Sequence, residues 1–262
     1  MSQSPVSRFK ALKLAEEQIV DLDLQLLKRK LRVTETPCDT KALVGDRELK
    51  AFCSNDYLGL ANHPKITEAL AEGARKYGVG SGASHLISGH SVAHELLEKQ
   101  LAAFQADHIP NARALFFSTG YLANLTAITG LARLAPRGEV SIYSAKLNHA
   151  SLIDGVRLAS AQNNASVTLF DHTQPELLLK ELQKDSKALK LIVTDAVFSM
   201  DGDLAPVKKL LSIAEQCDAL LILDDAHGFG VLGQQGHGVL EQAQICSDRI
   251  IYIGTLGKAA GV

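Results

Sequence analysis

Short apolar runs alternate with amphipathic stretches along most of the chain. Six short apolar runs predict β-strands: ARALFFS, EVSIYS, ASVTLF, ALKLIVTD, ALLILDD and RIIYIGT. Helical stretches fit between them, at 121–134, 149–160, 174–186 and 206–217. This alternation is typical of a mostly parallel sheet that is flanked by helices on both faces. We therefore predict a three-layer α/β fold.

The segment before this alternation has a different pattern. Residues 8–32 place Leu and Ile at three- and four-residue spacings among charges, which predicts an amphipathic helix followed by a small hairpin. The segments HPKITEALAEGARKYG and SVAHELLEKQLAAFQA predict two further helices. We expect an N-terminal helix and hairpin segment at 1–60 and a large α/β domain at 61–262.

Composition and charge exclude several classes of function. Hydrophobic residues make up 46% of the 262 positions, and the net charge is −2, which disfavours a nucleic-acid or anionic-membrane partner. The first twenty residues lack an apolar core, which argues against a secretory signal. The four cysteines are scattered, so we expect free thiols in a reducing cytoplasm and no metal site.

Polar clusters follow four of the predicted strands, at the point where each strand ends. They are Ser118–Tyr121, Thr194–Asp195, Asp224–Gly228 and Gly254–Lys258. In open α/β sheets, ligands bind at the carboxyl ends of the strands. We therefore expect these clusters to converge on one edge of the sheet.

Lys258 lies among small residues in the segment GTLGKAAG. Gly257 and Gly261 would let the backbone approach a ligand closely, and the hydroxyl of Thr255 could hold a phosphate oxygen. A desolvated lysine amine loses its proton readily and can form a Schiff base with an aldehyde, or move a proton on a bound carbanion. The alternative is a lysine in an ordinary surface loop.

Asp224 and His227 belong to the segment DDAHG. Asp224 follows the apolar run LLIL, where a carboxylate is costly unless a cation or strong donors accompany it. A protonated pyridine nitrogen would serve as that cation, as in pyridoxal phosphate sites, and His227 could reach a phenolic oxygen beside it. Two alternatives stay open: an acidic turn with a capping Asp, and a metal site of Asp224, Asp225 and His227.

Two weaker signals complete the candidate site. His149, in the segment LNHAS, could stack on a flat cofactor, although a His at a helix start is more often a capping or solvated residue. Gly120 and Tyr121 lie where a strand, a turn and a helix N-terminus would form a phosphate pocket. An Asp before a His, followed about thirty residues later by Ser/Thr-x-Gly-Lys, favours a lysine joined to pyridoxal 5'-phosphate.

Seven segments of the chain resemble the α-oxoamine synthases, which are pyridoxal phosphate enzymes of fold type I. They are SNDYLGL, GSGASHLISGHSVAHELLE, LFFSTGYLAN, LNHASLIDG, VTDAVFSMDGDLAP, DDAHGFGVLGQQGHG and GTLGKAAG. The family joins an amino acid to an acyl thioester with loss of carbon dioxide, and its members work as homodimers. FSTGYLAN and GASHLISGHS are most similar to the member that acts in biotin biosynthesis, which implies L-alanine and a pimeloyl thioester of CoA or a carrier protein.

The resemblance implies a role for each matched residue. Lys258 would hold the cofactor covalently and move protons, while Asp224 would pair with the pyridinium nitrogen. His227 would contact the phenolic oxygen, and His149 would stack on the ring and touch the substrate. The remaining cofactor-binding residues would be Gly120, Tyr121, Asp195, Ser199 and Thr255. Arg29 is the expected substrate-binding arginine, with competitors Lys28, Lys30 and Arg32.

The resemblance also implies a longer protein. Family members continue past this lysine into further sheet strands, a carboxylate-binding arginine and a smaller C-terminal domain. We therefore expect a fold-type I large domain that is truncated before the small domain and is poorly active alone. The alternatives are another α-oxoamine synthase (glycine C-acetyltransferase, 5-aminolevulinate synthase or serine palmitoyltransferase) and a non-catalytic fragment that keeps the fold.

Overall fold

The computed structural model describes residues 9–262 and divides into two compact units. One unit extends to Phe52, and the other runs from Cys53 to Val262. From the sequence we place this division after residue 60. The boundary after residue 60 stays a prediction.

The first unit contains a helix and a two-stranded hairpin. Helix α1 spans Lys10–Leu24, and strands β1 (Lys41–Val44) and β2 (Arg47–Lys50) pair antiparallel, as the turn signals predict. The predicted helix over 8–32 is too long at its C-terminal end, and residue 8 lies outside the described residues. Leu26 has a φ of 59°, a left-handed conformation that cannot continue a right-handed helix.

The second unit is built on a parallel five-stranded sheet. Its strands are β3 (Val140–Ala145), β4 (Ser166–Phe170), β5 (Leu189–Asp195), β6 (Ala219–Asp224) and β7 (Ile250–Ile253). Their spatial order is β4–β3–β5–β6–β7, and every neighbouring pair is parallel. Five of the six predicted strands and the parallel arrangement are therefore confirmed.

Helices cover both faces of this sheet. Helices α2 (Pro64–Tyr77) and α3 (Val92–Phe104) precede the sheet in the chain. Helices α4 (Gly120–Ala132) and α5 (Ala150–Asn163) pack on one face, and α6 (Pro175–Leu182), α7 (Val207–Gln216) and α8 (Val239–Gln242) pack on the other. Because side chains alternate along a strand, Leu191 and Val193 join the core formed with α4 and α5, whereas Ile192 joins the core formed with α6 and α7. The predicted three-layer architecture is confirmed. No helix in the described part of the chain is long and apolar enough to cross a bilayer.

The sixth predicted strand, ARALFFS at 112–118, does not form. The N–H of Phe116 donates to the Glu98 carboxylate at 2.9 Å rather than to a neighbouring strand. A cavity of about 1140 Å³ lies between this stretch and β7, the last strand at that edge of the sheet. An apolar run becomes a strand only where a second strand can satisfy its N–H and C=O groups, and the described residues supply none there.

Candidate active site

Two buried carboxylates end neighbouring strands at the carboxyl edge of the sheet. Asp195 ends β5 and Asp224 ends β6, and the two are register partners. Asp195 is only 4% exposed and Asp224 only 6% exposed. His149 precedes α5 after β3, and Lys258 follows β7, so the loops after four parallel strands bring these residues to the same edge.

Lys258 lies in direct contact with His227 within this edge. Lys258 Nζ is 2.8 Å from His227 Nε2, and His227 Nδ1 is 2.5 Å from the hydroxyl oxygen of Tyr57. Burial lowers the pKa of Lys258, although the negative charges of Asp224 and Asp195 oppose this shift. Burial and the neighbouring Lys258 charge lower the pKa of His227. The lysine is therefore able to reach its neutral, nucleophilic form more easily than an exposed lysine.

Asp224 accepts two hydrogen bonds and still has lone pairs available. Asn124 Nδ2 donates to its Oδ2 at 2.6 Å, and the N–H of Ala226 donates to its Oδ1 at 3.0 Å. Among the described residues, no Lys, Arg or His nitrogen forms an ion pair within 4.0 Å of this carboxylate. A buried carboxylate without a cation is costly, so the protonated nitrogen of a pyridine ring fits the requirement of this position.

Asp195 has a strongly raised pKa. Burial, reinforced by the nearby charge of Asp224, raises the pKa of Asp195 to about 7. The backbone N–H of His149 donates to its Oδ2 at 2.6 Å and opposes the shift, as does the positive charge of Lys258. Asp195 can therefore hold or release a proton near neutral pH beside His149 and Lys258.

His149 caps α5 through its own side chain. Its Nδ1 accepts a hydrogen bond from the N–H of Ser151 at 3.2 Å, and the Ser151 hydroxyl lies 2.6 Å from the same nitrogen. The capping role that we held as the alternative for His149 is therefore present. It leaves Nε2 available to a ligand, so capping and ligand binding do not exclude each other.

The predicted phosphate pocket lies at the N-terminus of α4, a helix of thirteen residues. Thr119 caps the helix by accepting from the N–H of Leu122 at 3.1 Å. No heavy atom lies within 4 Å of a Cβ placed on Gly120, so the space beside this residue is open. The Tyr121 hydroxyl donates to Asp154 at 2.8 Å. The first N–H groups of a helix lack partners inside the helix, and such an end suits an anion.

The other predicted residues occupy more exposed positions. Thr255 follows β7, and its hydroxyl oxygen accepts from the N–H of Gly257 at 3.3 Å. Ser199 is exposed in a turn of the loop after β5. Arg29 is exposed in the first unit, between α1 and β1, and its contact with a substrate stays a prediction.

The geometry of the described residues does not support the alternative of a metal site at Asp224, Asp225 and His227. Asp225 turns away from the other two side chains, because its Oδ2 accepts from the N–H of Val239 at 2.7 Å and from the Tyr252 hydroxyl at 2.8 Å. The three side chains therefore do not present their ligand atoms to one ion.

Sequence reasoning missed three polar residues of this site: Tyr57, Asn124 and Ser151. Each lies inside a segment that was singled out for another reason, namely SNDYLGL, STGYLAN and LNHAS. Tyr57 contacts a residue 170 positions away, and Asn124 contacts one 100 positions away. In the sequence, the only signal for these three residues is that each lies inside one of these motif segments.

Comparisons with known proteins agree with this fold. The family model for aminotransferase class I and II matches residues 48–262. The chain is 55% identical to 8-amino-7-oxononanoate synthase 2 of Polaromonas sp. (strain JS666) over 250 residues, which cover 94% of this chain and 60% of the relative. It therefore spans about 60% of the length of the curated relatives that it matches.

Solved structures show the same fold. Serine palmitoyltransferase of Sphingomonas wittichii matches with a TM-score of 0.81 and 30% identity, covering 99% of this chain and 62% of that one. The 8-amino-7-oxononanoate synthase of Francisella tularensis matches with a TM-score of 0.63 and 33% identity, covering 80% of this chain and 55% of that one. Since the family model covers most of the chain, the chain belongs to the aminotransferase class I and II family, the pyridoxal 5'-phosphate-dependent enzymes of fold type I.

Proposed function

We propose that the protein condenses L-alanine with a pimeloyl thioester, carried by CoA or a carrier protein, to give 8-amino-7-oxononanoate, carbon dioxide and the free thiol of CoA or the carrier. This is a step of biotin biosynthesis, and the full-length form would work as a homodimer. The 55% identity to a relative of that name supports the substrates. The observation that carries the chemistry is the Lys258 amine, 2.8 Å from His227 and subject to the charges of Asp224 and Asp195.

The residues of the carboxyl edge suit pyridoxal 5'-phosphate. Lys258 would bind its aldehyde carbon, Asp224 its ring nitrogen and His227 its phenolic oxygen, while His149 would stack on the ring. The remaining contacts would come from Gly120, Tyr121, Asp195, Ser199 and Thr255. When bound, the cofactor supplies a protonated ring that accepts the electron pair left when a bond to the amino-acid α-carbon breaks.

The chain's own residues then control protons and orientation. Lys258 would take the proton from the α-carbon and return one after carbon dioxide is lost, a task that suits an amine whose pKa is lowered by burial. His149 would touch the amino acid. The Asp224 carboxylate would favour a protonated ring nitrogen beside it.

The reaction is tested by offering the purified protein, saturated with cofactor, L-alanine, glycine or L-serine in turn. The visible absorbance of the bound cofactor and the release of free CoA from pimeloyl-CoA are both recorded, with Lys258→Ala as the control. We expect the absorbance to respond selectively to L-alanine, even where turnover is slow. A selective response to serine or glycine would assign the protein to another α-oxoamine synthase type, and failure to bind the cofactor would indicate a non-catalytic fragment.

A further inference from the structure

Two buried polar residues, Asn124 on α4 and Ser151 on α5, join Asp224 to His149. Both are only 1% exposed. The Asn124 side chain contacts both the Asp224 carboxylate and the Ser151 hydroxyl, and the Ser151 hydroxyl contacts the His149 ring. Buried polar side chains of this kind are costly unless their hydrogen bonds are made, so their arrangement is well determined.

The direction of the hydrogen bonds from Asn124 follows from the carboxylate. An ionised Asp224 only accepts, so the Asn124 amide must turn its Nδ2 toward Oδ2, 2.6 Å away. The same Nδ2 has a second hydrogen, which it donates to Ser151 Oγ at 2.9 Å. Asn124 Oδ1 is buried and has no hydrogen-bond partner among the described residues. The side chain therefore acts only as a hydrogen-bond donor.

The direction at His149 follows from a backbone group. The N–H of Ser151 can only donate, and it points at His149 Nδ1 over 3.2 Å, so Nδ1 carries no proton. The Ser151 hydroxyl, 2.6 Å from the same nitrogen, must therefore donate to it as well. Since this hydroxyl accepts from Asn124, the donors run in one direction from Asn124 through Ser151 to His149. The proton of the neutral imidazole is then on Nε2.

We propose that Asn124 and Ser151 are positioning residues that set two groups of the site at once. Asn124 holds the Asp224 carboxylate, and Ser151 holds His149 in the tautomer that presents an N–H at Nε2. His149 is thereby preset to donate a hydrogen bond to an anionic oxygen of the substrate while its ring face stays free. The value of this arrangement to catalysis rests on the proposed function, but the hydrogen-bond chain itself is made by residues of this protein alone.

The first test measures the tautomer of His149 in the protein without cofactor. The ¹⁵N shifts of the imidazole nitrogens distinguish the two tautomers, and His149→Asn identifies the signal. We expect the proton on Nε2 in the wild type. In Ser151→Ala we expect the ratio of tautomers to change by about five-fold toward Nδ1–H, because only the longer backbone hydrogen bond remains.

The matched control is Ser160→Ala on the same helix, whose hydroxyl donates to the carbonyl of Ala165 at 2.9 Å, and it should leave the ratio unchanged. A proton on Nδ1 in the wild type would overturn the proposal without any variant. An unchanged ratio in Ser151→Ala would also overturn it. Both outcomes are independent of cofactor binding and turnover, so they are separable from a failure of the proposed function.

The second test measures Asn124→Ala in the cofactor-loaded protein. Because the Asp224 carboxylate loses its strongest donor, we expect the affinity for pyridoxal 5'-phosphate to fall about ten-fold. The tautomer ratio of His149 should move in the same direction as in Ser151→Ala. Unchanged affinity together with an unchanged ratio would show that Asn124 only fills space in the core.

Discussion

Asp224 and Asp225 are adjacent, buried carboxylates that serve two different regions of the molecule. Asp224 faces the carboxyl edge of the sheet, where it accepts from Asn124 and Ala226 and keeps lone pairs for a ligand. Asp225 faces the interior beside α8, where it accepts from Val239 and Tyr252. Burial alone therefore does not distinguish a functional carboxylate from a structural one, whereas the identity of its hydrogen-bond donors does.

The space around Asp225 supports its structural assignment. A Cβ on Gly228 or on Gly238 would collide with the Asp225 carboxylate. Gly238 also has a φ of 82°, a conformation that other residues rarely adopt. The chain thus leaves room for this carboxylate with glycines on two sides, and its Oδ2 accepts hydrogen bonds from the start of α8 and from β7.

Of the two aspartates, Asp224 is the one whose substitution should lower activity most. Asp224→Asn keeps the shape of the side chain but removes the negative charge that would stabilise a protonated ring nitrogen. We expect kcat to fall about 10³-fold, while the free energy of unfolding changes by less than about 1 kcal/mol. Steady-state kinetics and urea unfolding measure the two quantities. Near-normal turnover in this variant would remove Asp224 from the chemistry.

The largest expected effect on stability is at Asp225. Asp225→Ala leaves the N–H of Val239 and the hydroxyl of Tyr252 buried without their acceptor. We expect the free energy of unfolding to fall by about 3 kcal/mol, with cofactor absorbance unchanged in the molecules that stay folded. If this variant is as stable as the wild type, the contrast between the two aspartates is mistaken.

The pH dependence of stability gives a third comparison. Burial raises the pKa of Asp225 to about 7, whereas an Asp in the unfolded chain titrates near about 3.9. Between these values the folded state binds a proton that the unfolded state does not, so stability falls as the pH rises from about 4 to about 7. Asp195, with its pKa also raised to about 7, acts in the same direction.

Asp225→Asn should therefore make the fall in stability less steep, by up to about 1.4 kcal/mol per pH unit in this window. Urea unfolding at several pH values from 4.5 to 8 measures the slope. Ser160→Ala on α5 removes no ionisable group, so it is the control and should leave the slope close to that of the wild type. Equal slopes for the wild type and Asp225→Asn would contradict the assignment.

The smallest expected effect is at Tyr57. Tyr57→Phe removes the hydroxyl that contacts His227 Nδ1, while the contact between His227 and Lys258 remains. We expect kcat/KM to fall about ten-fold, as for the loss of one hydrogen bond. A loss as large as that of Asp224→Asn would mean that Tyr57 takes part in the chemistry itself.

Local sequence patterns predict most of this fold. Strands β3, β5 and β6 are apolar runs buried between two helical layers, so their pattern and their environment agree. The run at 112–118 has the same local pattern but no strand beside it, and sequence periodicity contains no information about partners. Periodicity likewise does not give the end of α1, because the helix ends at the left-handed backbone conformation of Leu26.

The site is predictable only in part. Lys258, Asp224 and Asp195 follow directly from the rule that polar residues at strand ends meet at one edge. Asn124 and Ser151 lie inside helices, where a polar residue gives no signal of its own. Their importance comes from contacts over 100 and 27 positions, which only the folded chain brings together.

The most direct test of the central claim is to add pyridoxal 5'-phosphate to the purified protein, reduce with borohydride, and map the modified peptide by mass spectrometry. We predict one phosphopyridoxyl group on Lys258, with no adduct in Lys258→Ala. Lys190, whose ammonium donates to the carbonyl of Cys217 at 2.8 Å, should stay unmodified and serves as an internal comparison. An adduct spread over several lysines, or none on Lys258, would contradict the assignment of this edge of the sheet as the cofactor site.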